Sequence, residues 1–342
     1  MNKKQVILPA VAAVLFLCGL LLMLSLSPKG PAEPAPPAMT ASEPIQEVIA
    51  PEVTEPPVTE PAPTEPPVEI TEPAETTPPS QLELTAKAAF VYSTGEDRFL
   101  YIGGDPEEKL APASLTKLLT AYTALSCMEP EQIVIVGNEV TWIDPWSSVA
   151  YLQPGHQLSV KMLIQGLMLP SGNDAAYTLA VAGGRALAED PQLDSKMAYG
   201  IFVDEMNAQA RLLGLTGTHF ANPDGIDEDG HYTTMQDLVL LTKAAMEIPM
   251  IMEYGSMAED QVVFASGETV TWKNSNLLLH EDSEYYTQSA VGLKTGSTQN
   301  AGSCLISLFR QEDSSYLIVG VLGSTGNEQR YDDTLILYNR YA

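Results

Sequence analysis

Between residues 28 and 80 the chain carries 16 prolines and 10 glutamates, and the tripeptide Thr-Glu-Pro recurs at 54–56, 59–61, 64–66 and 71–73. Proline has no amide hydrogen to give to a ladder and fixes its own φ. A stretch this polar also has too little apolar surface to offset the entropy of ordering. The segment therefore reads as an extended spacer. Fully stretched at about 3.1 Å per residue it would reach on the order of 160 Å. What folds must fold on its far side, within residues 84–342, enough for one sizeable domain.

On the near side, Val6 to Leu26 form an uncharged apolar run of 21 residues, and a helix needs about 20 to cross a bilayer core. Lys3 and Lys4 precede it, which predicts residues 1–5 in the cytoplasm, 6–26 in the membrane and the rest outside. A cleaved signal is the alternative, with Ser25-Leu26-Ser27 as a small-x-small site. The apolar run exceeds the usual signal core of about 7–15 residues, which favours an uncleaved anchor. Residues 27–83 then link the anchor to the folded domain.

Of the 44 acidic residues, 34 lie beyond residue 80 against 14 basic ones. So acidic a domain excludes nucleic acid and anionic lipid as expected partners, and it requires any anionic substrate to be caught by a local basic group. The three cysteines, Cys18, Cys127 and Cys304, are too few and scattered for a disulfide framework or zinc site. The four histidines show no paired ligand spacing and read as structural. No metal and no cofactor is expected.

From residue 86 the texture becomes globular. "KAAFVYS" and "RFLYIG" around "TGED" predict a hairpin. Helical patterns follow, at 159–169, 174–182 and 201–214 among others, and strand patterns return in "VGLKTGS", "SCLISLF" and "SYLIVGVLG" before a terminal helix near 327–341. A sheet assembled from both ends of the chain with helices inserted between predicts an α+β domain, an antiparallel sheet flanked by helices with a helical subdomain.

Three short features carry chemistry. In "APASLTKLLTAYTAL", residues 111–125, Leu115, Leu118, Leu119, Tyr122 and Leu125 mark the buried face of a helix beginning near Pro112, and Ser114 and Lys117 fall side by side in its first turn. Serine is a weak nucleophile without a base, and lysine becomes a base when burial disfavours its charge. Pro170 then stops a helix, and Ser171-Gly172-Asn173 form a loop before Asp174 opens the next one. Finally Lys294-Thr295-Gly296 sits in a strand-like run, where Gly296 would let a ligand backbone approach a sheet edge.

Ser-x-x-Lys, Ser-x-Asn and Lys-Thr-Gly, once each and in this order, form a known signature of serine β-lactamases and penicillin-binding proteins. Together with "SGNDAA", "FVDEMNAQARLLGLTGTHFANPDGI", "HYTT" and "VGLKTGSTQNAGSCL", they make residues 84–342 resemble the serine D-Ala-D-Ala carboxypeptidases, the low-molecular-mass penicillin-binding proteins. The resemblance implies the β-lactamase/DD-peptidase-like fold, peptidoglycan stem peptides ending in D-Ala-D-Ala as substrates, and β-lactam antibiotics as inhibitors. Ser114 would attack the carbonyl between the two D-alanines, Lys117 would take its proton, and Ser171 would relay a proton to the leaving D-alanine. Asn173 would hold the substrate amide. Lys294 would add positive charge, Thr295 and Arg330 would contact the terminal carboxylate, and the backbone N–H groups of Ser114 and Ser297 would flank the oxyanion.

Two alternatives share the nucleophile. A β-lactamase of the most similar class needs a glutamate with an asparagine four residues on, and no Glu-x-x-x-Asn occurs here. A penicillin sensor or wall-binding protein that stays acylated usually carries a multi-span signalling module, which one apolar run does not provide. Residues 183–200, "GGRALAEDPQLDSKMAYG", look longer than the family pattern and are expected to alter access to the site.

Overall fold

The computed structural model describes residues 82–342, so the expected anchor and nearly all of the expected spacer lie outside the described residues. Strands β1 (Ala88–Ser93) and β2 (Arg98–Gly103) form the hairpin at the start of the domain. Strands β7 (Ala290–Thr298), β8 (Gly302–Arg310) and β9 (Tyr316–Ser324) come from its end. The five make one antiparallel sheet in the order β2-β1-β9-β8-β7, with β1 paired to β9 so that Ala89 faces Val321. The sheet is thus closed by the two ends of the domain, as the strand patterns predicted, and β7 is left at its edge.

Period-2 alternation sends the strand residues to two separate cores. Phe90, Ile306, Leu308, Ile318 and Leu322 join a large cluster with the helices, while Val91, Leu305, Phe309, Val319 and Val321 pack on the other face with Tyr331 and Leu337 of the C-terminal helix α7 (Gln329–Tyr341). The rings of Phe309 and Tyr338 stack at 4.1 Å and those of Tyr285 and Tyr331 at 4.9 Å.

The helical layer is built around α1 (Lys117–Cys127). Leu118 and Leu119 are buried as predicted, but so are Thr120, Ala121, Thr123 and Ala124, while Tyr122 is half-buried. The helix is central, covered on most of its circumference by α2 (Val160–Met168), α3 (Asn173–Leu187), α4 (Ser195–Leu212) and α5 (Met235–Met246). Ser159 caps α2 by accepting from Met162 N–H, and Asp194 caps α4 by accepting from Lys196 and Met197. A short helix, α6 (Pro249–Ser256), packs against β7. Two small ribbons complete the domain: β3 (Ile133–Ile135) with β4 (Gln157–Ser159), and β5 (Glu259–Val263) with β6 (Thr269–Lys273).

Residues 183–200 are mostly helical. They comprise the end of α3, a connection at 188–194, and the start of α4.

Trp272 of β6 shows how the ribbons support the rest. It is fully buried, and its indole N–H donates at 3.0 Å to the carbonyl of Ala150, in the loop before β4 that is hydrogen-bonded to Asn173 and Asp174. Trp272→Ala should cost about 3–5 kcal/mol of stability in chemical denaturation. Trp272→Phe, which keeps most of the volume but orphans that carbonyl, should cost about 1–3 kcal/mol.

Candidate active site

Ser114 does not sit in the α-helix. It lies in a single 3₁₀ turn, Ala113–Thr116, that Pro112 opens, and the α-helical geometry starts at Lys117. Ala113 takes the left-handed conformation at φ 49°, a strained geometry for a residue with a side chain. Two glycines close on this turn. Gly225, at φ 91°, lies where a Cβ would collide with the Ala113 carbonyl, and a Cβ on Gly296 would stand 3.0 Å from both Ser114 N and Ala113 Cβ. The space on the Cβ side of Gly296 is therefore taken by the backbone of the Ser114 turn, while β7 itself stays at the sheet edge.

A histidine braces the same turn. His231 Nδ1 accepts from Ala221 N–H at 3.0 Å, so Nε2 carries the hydrogen and donates to Thr116 Oγ1 at 2.8 Å. Burial pushes its pKa down to about 4 and keeps it neutral. The structural reading of the histidine holds here.

Lys117 is fully buried, which rules out a charged head reaching water. Its Nζ stands 2.8 Å from Ser114 Oγ, 2.7 Å from Asn173 Oδ1 and 2.7 Å from the Asp224 carbonyl oxygen. None of these is a carboxylate. Desolvation lowers its pKa to about 8, opposed by the more distant charges of Asp224 and Asp174. A neutral amine has two N–H groups and one lone pair. Asn173 Oδ1 and the Asp224 carbonyl can only accept, so they take the two hydrogens and the lone pair faces the Ser114 hydroxyl.

A second buried amine serves the second serine. Lys294 Nζ donates to Ser171 Oγ at 2.7 Å and to the Thr295 carbonyl at 3.1 Å. Burial, then repulsion from Lys117 and Arg330, holds its pKa well below the usual lysine value. Ser171 is itself left-handed at φ 61°, and Asn173 is the first residue of α3, one position earlier than expected.

The expected carboxylate ligands are less exposed than their residue types suggested. The Thr295 hydroxyl pairs with that of Ser275. Arg330 is buried on α7, where Nη1 donates to the Gly296 carbonyl at 3.2 Å and Nε has no partner. It braces β7 from behind. Ser297 is exposed and lines the cleft with Thr298 and Ser114.

That cleft, about 420 Å³, has a rim formed by Asp144, Trp146, Ser147 and Ser148. The rim loop is tied to α3 by two adjacent residues. Asn173 N–H donates to the Ser148 carbonyl at 2.8 Å, and the buried Asp174 carboxylate accepts from Ala150 and Leu152 at 2.7 and 2.9 Å. Asp174, Asp224, Gly225 and the rim loop had no role in the sequence reading. "NPDG" is a turn composition and "DPW" a turn start, but neither marks a contact that runs through a carbonyl. A larger groove of about 790 Å³ lies between β3 and the α3–α4 connection, and Arg185, Glu189 and Gln192 line that groove instead of the Ser114 cleft.

Residues 74–326 match the D-alanyl-D-alanine carboxypeptidase family model. The chain is 32% identical to the D-alanyl-D-alanine carboxypeptidase DacC of Escherichia coli (strain K12), over 68% of this chain and 55% of the relative. It is 28% identical to the D-alanyl-D-alanine carboxypeptidase DacF of Bacillus subtilis (strain 168), over 75% and 62% respectively. It thus spans little more than half the length of the curated relatives it matches. Among solved structures, the Streptomyces K15 DD-transpeptidase superposes with a TM-score of 0.68 at 29% identity, covering 76% of this chain and 98% of that one. Penicillin-Binding Protein D2 from Listeria monocytogenes in the ampicillin-bound form superposes with a TM-score of 0.61, also at 29% identity, over 76% and 98%. With the family model matching well over half of its length, and the domain superposing on DD-peptidase structures, the chain belongs to the D-alanyl-D-alanine carboxypeptidase family.

Proposed function

We propose that the chain is a serine D-Ala-D-Ala carboxypeptidase that removes the terminal D-alanine from peptidoglycan stem peptides through an acyl-enzyme on Ser114, and that β-lactams acylate the same hydroxyl. The observation that carries this reading is the Lys117 amine, buried without a carboxylate, 2.8 Å from Ser114 Oγ. Such an amine is neutral over part of the physiological range and can accept the serine proton as Oγ attacks the scissile carbonyl. The proton then passes to the nitrogen of the leaving D-alanine through Ser171, whose Oγ is held by Lys294 at 2.7 Å. Water attacks the ester that remains and regenerates Ser114. Backbone N–H groups of Ser114 and Ser297 would stabilise the oxyanion, an arrangement worth about 3–4 kcal/mol per donor.

Asn173 would hold the substrate amide through its Nδ2, since Oδ1 is engaged by Lys117. If Ser275 donates to Thr295, the Thr295 hydrogen is free for the substrate carboxylate. Lys294 and Arg330 would favour that carboxylate through their charge from behind the strand.

Fluorescent penicillin should label Ser114, and Ser114→Ala should abolish labelling without unfolding the domain. Lys117→Arg, which cannot surrender a proton near neutral pH, should slow acylation by about two to four orders of magnitude. Lys117 works only when neutral, so the acylation rate should rise with pH and reach half its maximum near about 8. Asp174→Asn removes a carboxylate that favours the ammonium, and its half-maximum should move to lower pH. A flat profile would assign the proton to another group.

Peptides ending in D-Ala-D-Ala amide should be cleaved at least about tenfold more slowly than the free acids, because the amide leaves the carboxylate site without its charged partner. Equal cleavage would show that carboxylate recognition does not select the substrate.

We also place the domain outside the cell on an uncleaved Val6–Leu26 anchor, with residues 27–83 holding it away from the bilayer; the support is the length of the apolar run and the two lysines before it. Intact protein should pellet with membranes and resist high-salt extraction. A soluble product beginning just after Ser27 would establish cleavage instead.

A further inference from the structure

Ser275, in the segment that follows β6, does not line the Ser114 cleft, yet it is bonded to both elements that carry the second serine and the second amine. Its N–H donates to the Leu169 carbonyl at 3.0 Å, two residues before Ser171, and its hydroxyl stands 2.5 Å from that of Thr295, the residue after Lys294. Ser275 therefore ties the Ser-Gly-Asn turn to β7 a second time, in parallel with the bond from Lys294 to Ser171.

Tyr331 holds Ser275 in place. Its fully buried phenol donates to the Ser275 carbonyl at 2.9 Å and accepts from Leu277 N–H at 3.2 Å. A carbonyl can only accept and an amide N–H can only donate, so both directions are fixed. No side chain caps α7. Its first turn is placed instead by Arg330 on the Gly296 carbonyl, by Tyr331 on residues 275–277, and by the Asp333 carboxylate on Thr85 and Ser324. The turn that braces Gly296 thus also sets the position of Ser275.

Residue chemistry decides what this arrangement can do. A carboxylate only accepts, so a Thr295 hydroxyl that donates to one must take its other hydrogen bond as an acceptor. Among the described residues the Ser275 hydroxyl is what bonds to it.

We propose that Tyr331 is a positioning residue of the peptidase that acts through Ser275: it fixes the serine so that the Ser275 hydroxyl donates to Thr295 and the Thr295 hydrogen stays turned towards the terminal carboxylate of the substrate. This rests on the carboxypeptidase reading above and adds to it a pair of residues, neither of which touches substrate.

The test compares the full-length protein with Tyr331→Phe, Ser275→Ala and the double variant, on peptides ending in D-Ala-D-Ala as free acid and as amide. Each single change deletes one oxygen. The acid-to-amide ratio of kcat/KM should fall by about two- to tenfold in Tyr331→Phe and by a similar factor in Ser275→Ala. Because the two residues act in series, the double variant should match the larger single effect. A merely structural role would slow both peptides alike and leave the ratio unchanged. The pH of half-maximal acylation should stay at its wild-type value, since Lys117 bonds to Ser114, Asn173 and Asp224 and to neither member of the pair. Should Tyr331→Phe fail to fold, Ser275→Ala decides alone. An unchanged ratio in a folded single variant, effects that multiply in the double variant, or a shifted half-maximum overturns the pair while leaving the peptidase reading intact. A wild type that cleaves acid and amide alike removes carboxylate recognition, and the pair with it. If neither peptide is cleaved while penicillin still labels Ser114, the carboxypeptidase reading itself fails and the pair falls with it.

Discussion

One buried amine organises this domain. An ammonium removed from water without a carboxylate is among the costliest things a fold can contain, and a neutral amine is tolerable only if each of its hydrogens finds an acceptor. Lys117 meets that condition with Asn173 Oδ1 at the head of α3 and the Asp224 carbonyl in the 222–226 loop, both far away in sequence, and turns its lone pair to Ser114 in its own turn. The central helix, the α3 start and the loop must all be in place before the amine is satisfied. A carboxylate in any of the three positions would stabilise the fold more simply, but it would hold the lysine charged and useless as a base.

The second amine repeats the arrangement with a different consequence. Lys294 lies on the edge strand and holds Ser171, while Arg330 behind it holds the Gly296 carbonyl. Three basic side chains lie beneath one small cleft, and burial, then repulsion from Lys117 and Arg330, depresses Lys294. The rest of the domain is strongly acidic. The Arg330 guanidinium thus keeps its charge in the low-dielectric interior, where its field on a bound anion is less screened than that of an exposed group.

Much of this was legible in the sequence because it depends on side-chain type and period. Alternating apolar residues gave the strands and their two faces, and the Ser-x-x-Lys, Ser-x-Asn and Lys-Thr-Gly spacings located five groups that now bond in two sets, Lys117 with Ser114 and Asn173, and Lys294 with Ser171. What was hidden depends on backbone atoms and conformation. The Asp224 carbonyl that completes the Lys117 shell has no side-chain signature, since any residue supplies a carbonyl. The switch from 3₁₀ to α geometry at Lys117 leaves the apolar period almost unchanged. Arg330 and Thr295 were assigned from the resemblance, and the fold gives each a protein partner, the Gly296 carbonyl and the Ser275 hydroxyl. Nor does composition announce the close packing of residues 183–200, where Gly183 and Gly184 of α3 meet Phe202 and Ala198 of α4.

The two serines share a further property that spacing could not announce. Ala113, next to the Ser114 hydroxyl, and Ser171 itself are left-handed without being glycine, each at a cost of about 1–3 kcal/mol. Such strain persists only where the surroundings over-determine it. Around Ser114 they do: Gly225 rests on the Ala113 carbonyl, Gly296 rests on Ser114 N, and His231 holds Thr116. Because Gly296 has no side chain, strand and turn meet backbone to backbone. The Ser114 amide and the strand leading to Ser297 therefore behave as one packed unit, and the distance between the two N–H groups that would flank an oxyanion is set by core packing instead of by the motion of a loop.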